Sequence, residues 1–212
     1  MDIVSQSLVK VIFFSTIHED RLTNYFTSHD KYSSGVNMMG LNNIDTEQVK
    51  QYKKEIQAKP KEAKFTAKIE GEWLFEAGGP QFRSTVKVKD GTYTMEASHP
   101  NFAGPGIRPG PMAFGLFWFA ACYTSTYVTE AAMRNIRLKS VKTKVEADLD
   151  YTAQFDLGDN PLVNEYRLIM EVSGDATDAQ LNDLKEYALK RCMGMFTITH
   201  AIRLKPELKI IK

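Results

Sequence analysis

The feature that most constrains this chain is an uncharged run from Pro111 to Thr129 (PMAFGLFWFAACYTSTYVT), followed at once by Glu130 and Arg134. A run of this length approaches a membrane span. Its second half, however, carries Tyr123, Thr124, Ser125 and Thr126. We read it as a helix of about 112–134 buried inside protein, not in lipid. A helix apolar on all sides needs a core around it, and a subunit interface would supply one. The start of the chain, Met1-Asp2 with Lys10 breaking the apolar stretch, lacks the pattern of a secretory signal. A cytoplasmic location is expected. The net charge of +1, with no basic stripe interleaved with aromatics, points away from nucleic acid and anionic membranes.

The 212 residues suffice for one sizeable core and are short for two full domains. Residues 1–44 are expected to form an N-terminal extension, with Leu8–Phe14 (LVKVIFF) a strand or an amphipathic turn of helix, and residues 45–212 a single domain. Asp45 caps a helix over 45–58, with Gln48 placed as in a capping box and Pro60 beyond its end. Alternation predicts strands at Phe65–Phe75, Phe82–Lys89 and Thr92–Ala97. Asp90-Gly91 is read as the two central residues of a type I′ hairpin turn. After the long helix, apolar residues from Val141 to Tyr151 alternate with charged ones, and a further strand is expected at Tyr166–Val172. Thr177 and Gln180 form a second capping box, opening a helix that leads to Cys192. A final strand is expected over Ile202–Ile211, at an edge because of Pro206. Hairpin strands with long helices on one face make the fold class α+β.

Only two cysteines occur, Cys122 in the long helix and Cys192 after the second capped helix. Two are too few for a disulfide framework of the kind that staples small secreted domains. They are either bland buried thiols or a working redox pair. His99 and His200 are far apart in sequence, and no His/Cys/Asp spacing points to a metal. The loop AGPGIRPGP lacks the Lys-Ser/Thr of a phosphate-binding loop, so no cofactor is expected.

A Pro/Gly-rich loop running into a hydrophobic helix with Ala-Ala-Cys, and a second cysteine after two strands and a capped helix, resembles the OsmC/Ohr family over about residues 62–212. The segments GLNNIDTEQVKQYKKEIQAKP, Trp73 before Gly78-Gly79, and DLDYTAQFDLGDNP are similar to a longer OsmC-like branch of that family. The resemblance implies antiparallel sheets and an intertwined homodimer with two active sites at the interface. It also implies reduction of small, often organic, hydroperoxides. Cys122 would be the attacking thiol, Cys192 the resolving one, and a dithiol such as a lipoyl group the reductant.

The chain departs from the family at several places. The family's arginine in the glycine turn falls at Pro80, and its glutamate at Met112 or Ala113. Arg83 and Arg108 are the candidates to replace the arginine. Cys192 is followed by Met193 where the family usually has proline. Phe114, Trp118, Met193 and Met195 are candidates to line an apolar substrate pocket, and packing is the ordinary fate of such residues. Two alternatives stay open beside the peroxidase. One is a dimer of the same fold that binds a small hydrophobic molecule. The other is a different thiol chemistry, such as persulfide handling.

Overall fold

The structure, a computed structural model, describes residues 40–211; the segment Leu8–Phe14 lies outside the described residues. Four α-helices and five strands are present among them: α1 (Thr46–Ala58), β1 (Gly71–Trp73), β2 (Phe82–Val88), β3 (Gly91–Ala97), α2 (Pro111–Met133), β4 (Leu138–Leu149), β5 (Val163–Gly174), α3 (Asp178–Arg191) and α4 (Met193–Thr199). The strands form two separate antiparallel sheets, β1-β2-β3 and the long hairpin β4-β5. This mixture of hairpins and helices is the α+β class read from the sequence.

The helix limits follow local chemistry. The Asp45 side chain accepts from the Gln48 N–H at 2.9 Å. Pro111 stands in the first turn of α2, where a missing N–H costs nothing. At Thr177 the capping box is complete, with the Gln180 side chain returning to the Thr177 N–H at 2.9 Å. Just before α1, the Asn42 side-chain amide donates to the Ile136 carbonyl at 2.8 Å and accepts from the Leu138 N–H at 2.9 Å. It thereby satisfies the backbone where β4 begins.

The core lies between α2, α3 and the inner face of the β4-β5 hairpin. Phe119, Tyr123, Tyr127 and Ala131 repeat every four residues and are buried, so they mark one face of α2. The Tyr127 hydroxyl donates to the Leu181 carbonyl at 3.1 Å and that of Tyr123 to the Lys185 carbonyl at 3.4 Å, which fixes α3 against α2. Burial pushes the Tyr123 phenol up to about 12. Thr124 and Thr143 share a hydroxyl hydrogen bond of 2.6 Å between α2 and β4. Leu184 of α3 is fully buried at the centre. Leu184→Ala is expected to cost about 2–5 kcal/mol, from lost transfer energy plus the cavity left behind. Urea denaturation should show a lowered midpoint at unchanged slope.

Four expectations need correction. The helix α2 is buried on one face only within the single chain, since Phe117 is 71% and Trp118 45% exposed. The strand expected over Phe65–Phe75 contracts to Gly71–Trp73, because only Phe82–Ser84 lie opposite to pair with it. The β2–β3 turn is centred on Lys89-Asp90, with Val88 opposite Gly91. Gly91 alone takes positive φ there (+144°), so a type I′ turn is not formed. The strand expected over Ile202–Ile211 is absent. Those residues are exposed and have no regular structure, because Pro206 lacks an N–H and no described strand lies beside them to complete a ladder.

Candidate functional site

The two cysteines are 70 positions apart in sequence, and their sulfurs lie 3.4 Å from each other. Each element contributes for a local reason. Cys122 sits mid-way along α2, next to the buried stripe and therefore only half-buried. Cys192 ends α3 and begins α4. Its N–H donates to the Ala188 carbonyl at 3.0 Å, and its sulfur accepts from the Met195 N–H at 3.4 Å. It is buried, at 1% exposure. Ala188, one turn earlier, is also fully buried, so the end of α3 presses against α2 and carries Cys192 to Cys122.

At the junction between α3 and α4, Gly194 packs closely on both cysteines. A Cβ on Gly194 would lie 3.2 Å from Cys122 Cβ, 3.4 Å from Cys122 Sγ and 3.6 Å from Cys192 Sγ. Burial, the strongest influence, pushes the Cys122 thiol above its ordinary range, and the neighbouring Cys192 pushes in the same direction. The nearby backbone N–H groups of Gly194 and Met193 pull the other way. A thiol reacts as its thiolate, so at neutral pH this site keeps most of Cys122 in the unreactive form. Two thiols in contact can close to a disulfide of about 2.0 Å with a movement of about 1.4 Å.

The pocket candidates divide. Phe114 and Trp118 lie two turns and one turn before Cys122 on the same stripe of α2, half-buried and exposed respectively. Met193, beside Cys192, is 71% exposed, whereas Met195 packs against the core.

Arg83 and Arg108 come together elsewhere, on a carboxylate the sequence reading missed. Arg83 donates to Glu96 Oε1 through Nε at 3.0 Å and Nη2 at 2.9 Å, and Arg108 Nε donates to Oε2 at 2.9 Å. The Arg108 guanidinium, then that of Arg83, holds the Glu96 carboxyl below its usual range. Glu96 lies directly across from Arg83 in the β2–β3 ladder. The missed signal is that cross-strand register, which the turn sets. Neither guanidinium is among the groups acting on the Cys122 thiol within this chain.

By class, then, this is an α+β protein in which two distant thiols meet at a helix junction. Residues 104–207 match the model of the OsmC-like protein family. No curated protein sequence matches the chain. Among solved structures, it is similar to an OsmC-like protein from Mycoplasma pneumoniae, at 18% identity over 64% of this chain and 89% of that one, TM-score 0.46. It is also similar to an organic hydroperoxide resistance protein OsmC from Legionella pneumophila, at 17% identity over 64% of this chain and 91% of that one, TM-score 0.43. An OsmC-like hydroperoxide resistance protein from Jannaschia sp. aligns at 15% identity over 61% and 83% of the two chains, TM-score 0.39. Among the described residues, no helix is long and apolar enough to cross a membrane.

Proposed function

We propose that this protein is a thiol peroxidase that reduces organic hydroperoxides through Cys122 and Cys192. The observation that carries the reading is the 3.4 Å approach of two sulfurs from distant parts of the chain. The Cys122 thiolate attacks the terminal oxygen of ROOH. The S–O bond forms, the O–O bond breaks, and RO⁻ takes a proton to leave as ROH. Cys192 then attacks the resulting sulfenic acid, the S–S bond forms, and hydroxide leaves as water after protonation. A dithiol, of which a lipoyl group is one kind, returns two electrons and two protons by exchange.

The half-buried Cys122, with Trp118 one turn away, favours an apolar peroxide over hydrogen peroxide. We assign the working unit as a homodimer. Support comes from Phe117 and Trp118 on α2 and from Phe75, Phe82 and Tyr93 around the three-stranded sheet, all exposed in the single chain. Arg83 or Arg108 of a second subunit is the cation proposed to approach the sulfur.

One observation favours a second reading, a family member without peroxidase chemistry. It is the commitment of both arginines to Glu96 while Cys122 stays protonated. One experiment separates the two. One equivalent of cumene hydroperoxide added to the reduced protein should remove two titratable thiols and join the peptides containing Cys122 and Cys192. Two thiols remaining after excess peroxide would end the peroxidase reading.

A further inference from the structure

We infer that the cavity between β5 and α3 is a binding site for a small amphipathic acid, an unbranched carboxylate whose alkyl chain lies along β5 and whose head group meets Lys185. Neither cysteine lines this cavity. The inference goes beyond the reading above and stands whether or not the protein reduces peroxides.

The cavity arises from a mismatch between facing elements. Along β5, Leu168, Met170 and Val172 are spaced by two, so they share one face, and that face packs on the core. Across from them α3 presents Leu181 but also Asn182 and Lys185. The apolar residues Leu184 and Ala188 of α3 are buried against the α2 stripe instead. Polar side chains stay with solvent, so the helix does not close over the apolar row of the strand. The space left measures about 320 Å³. Small-molecule sites run from about 300 to 1,000 Å³. Leu168, Met170, Val172 and Leu181 are left only half-buried, and covering such surface with an apolar ligand is favourable.

Floor and rim decide which kind of molecule fits. Tyr123 and Tyr127 of α2 also line the cavity. Each phenol already donates its proton to an α3 carbonyl, of Lys185 and Leu181 respectively, so the rings offer apolar surface. Asn182 likewise donates through Nδ2 to the Asp178 carbonyl at 2.9 Å. The charge comes from Lys185. Its side chain lines the cavity and is still 57% exposed, so it stands at the mouth. Its one carboxylate neighbour among the described residues is Glu186, at 3.7 Å and 54% exposed, a long pair that contributes little. Asp183, on the same helix, is held by Arg134 instead. An apolar trough that ends at a weakly paired cation complements a carboxylate with an alkyl tail. Its concave shape suits such a tail and not the broad face of a second copy.

Octanoate is the probe, added to the full-length protein with isotope-labelled methionine methyls and followed by nuclear magnetic resonance. The Met170 methyl should shift saturably, and that of the exposed Met193, beside Cys192, should stay still. Hexanoate, two methylenes shorter, should bind about 15-fold more weakly, because each buried methylene is worth about fourfold. Lys185→Gln removes the charge and keeps a polar side chain at an exposed position. It should weaken octanoate about fivefold at low salt and leave neutral octanamide unchanged. Equal octanoate affinity in Lys185→Gln and the unmodified protein would overturn the assignment. So would shifts at Met193 with none at Met170, which would put the acid at the cysteines.

A soluble paramagnetic agent tests the other occupants in the unmodified protein. Without ligand it should relax the Met170 methyl, and octanoate should then protect that methyl. A Met170 methyl protected before any acid is added would mean that the same chain or a second copy already covers the cavity, and would overturn the inference. The absence of saturation up to millimolar octanoate would do the same.

Discussion

Cys122→Ser should abolish consumption of organic hydroperoxide, lowering the rate by at least about 10³-fold, because the nucleophile itself is removed. A serine hydroxyl cannot form the sulfenic acid that the cycle needs. Cys192→Ser should behave differently. Its Cys122 still attacks, so the first equivalent of peroxide is consumed, and the cycle then stalls with Cys122 as a sulfenic acid. A sulfenic-acid trap such as dimedone should label Cys192→Ser after peroxide and leave Cys122→Ser unlabelled. Equal peroxide consumption by the unmodified protein and Cys122→Ser would dispose of the enzymatic reading. Turnover retained fully in Cys192→Ser would show that an outside thiol, and not Cys192, resolves the intermediate.

The second large effect is on pH. Burial, and then Cys192, places the Cys122 thiol above its ordinary value. The reactive form is the deprotonated one, so a raised value moves the whole activity profile to higher pH. Below that value the thiolate fraction falls tenfold for each unit of pH. The rate of the peroxide step should therefore climb about 100-fold from pH 6 to pH 8 and show no plateau below the ordinary thiol value of about 8.5. Stopped-flow measurement of thiol oxidation at fixed peroxide gives this profile directly. A plateau already reached by pH 7 would refute it and would mean that a cation is brought to the sulfur in the assembled protein. The obvious sources are Arg83 and Arg108, whose side chains are 43% and 46% exposed in spite of their pairing with Glu96.

Much of the frame was legible in the residues. The absence of charge across 111–129 and the proline at its start place α2 within a residue or two of its true limits. The Thr177/Gln180 capping box locates α3 because its signal is purely local: two side chains and two N–H groups within four residues. That the two cysteines form one site came from the resemblance and their order in the chain.

Other features escaped because they depend on register and packing. A turn on Asp90-Gly91 would have set Arg83 opposite Ser98, whereas the turn on Lys89-Asp90 sets it opposite Glu96. The two registers differ by two residues, so both keep every side chain on the same face, and apolar alternation cannot choose between them. The observed register sets opposite charges directly across the ladder. The final strand failed for a related reason. Alternating apolar residues from Ile202 onward describe a face that fits a sheet, but strand formation needs an adjacent edge.

The sequence by itself determined where helices start and stop, which stretches are apolar, and that two thiols are available. Those properties arise from neighbours within a turn or two. Only the tertiary structure decided that the thiols touch and that Glu96 holds both candidate arginines. Both depend on backbone positions set by packing and strand register between distant elements, which no local pattern of residues records.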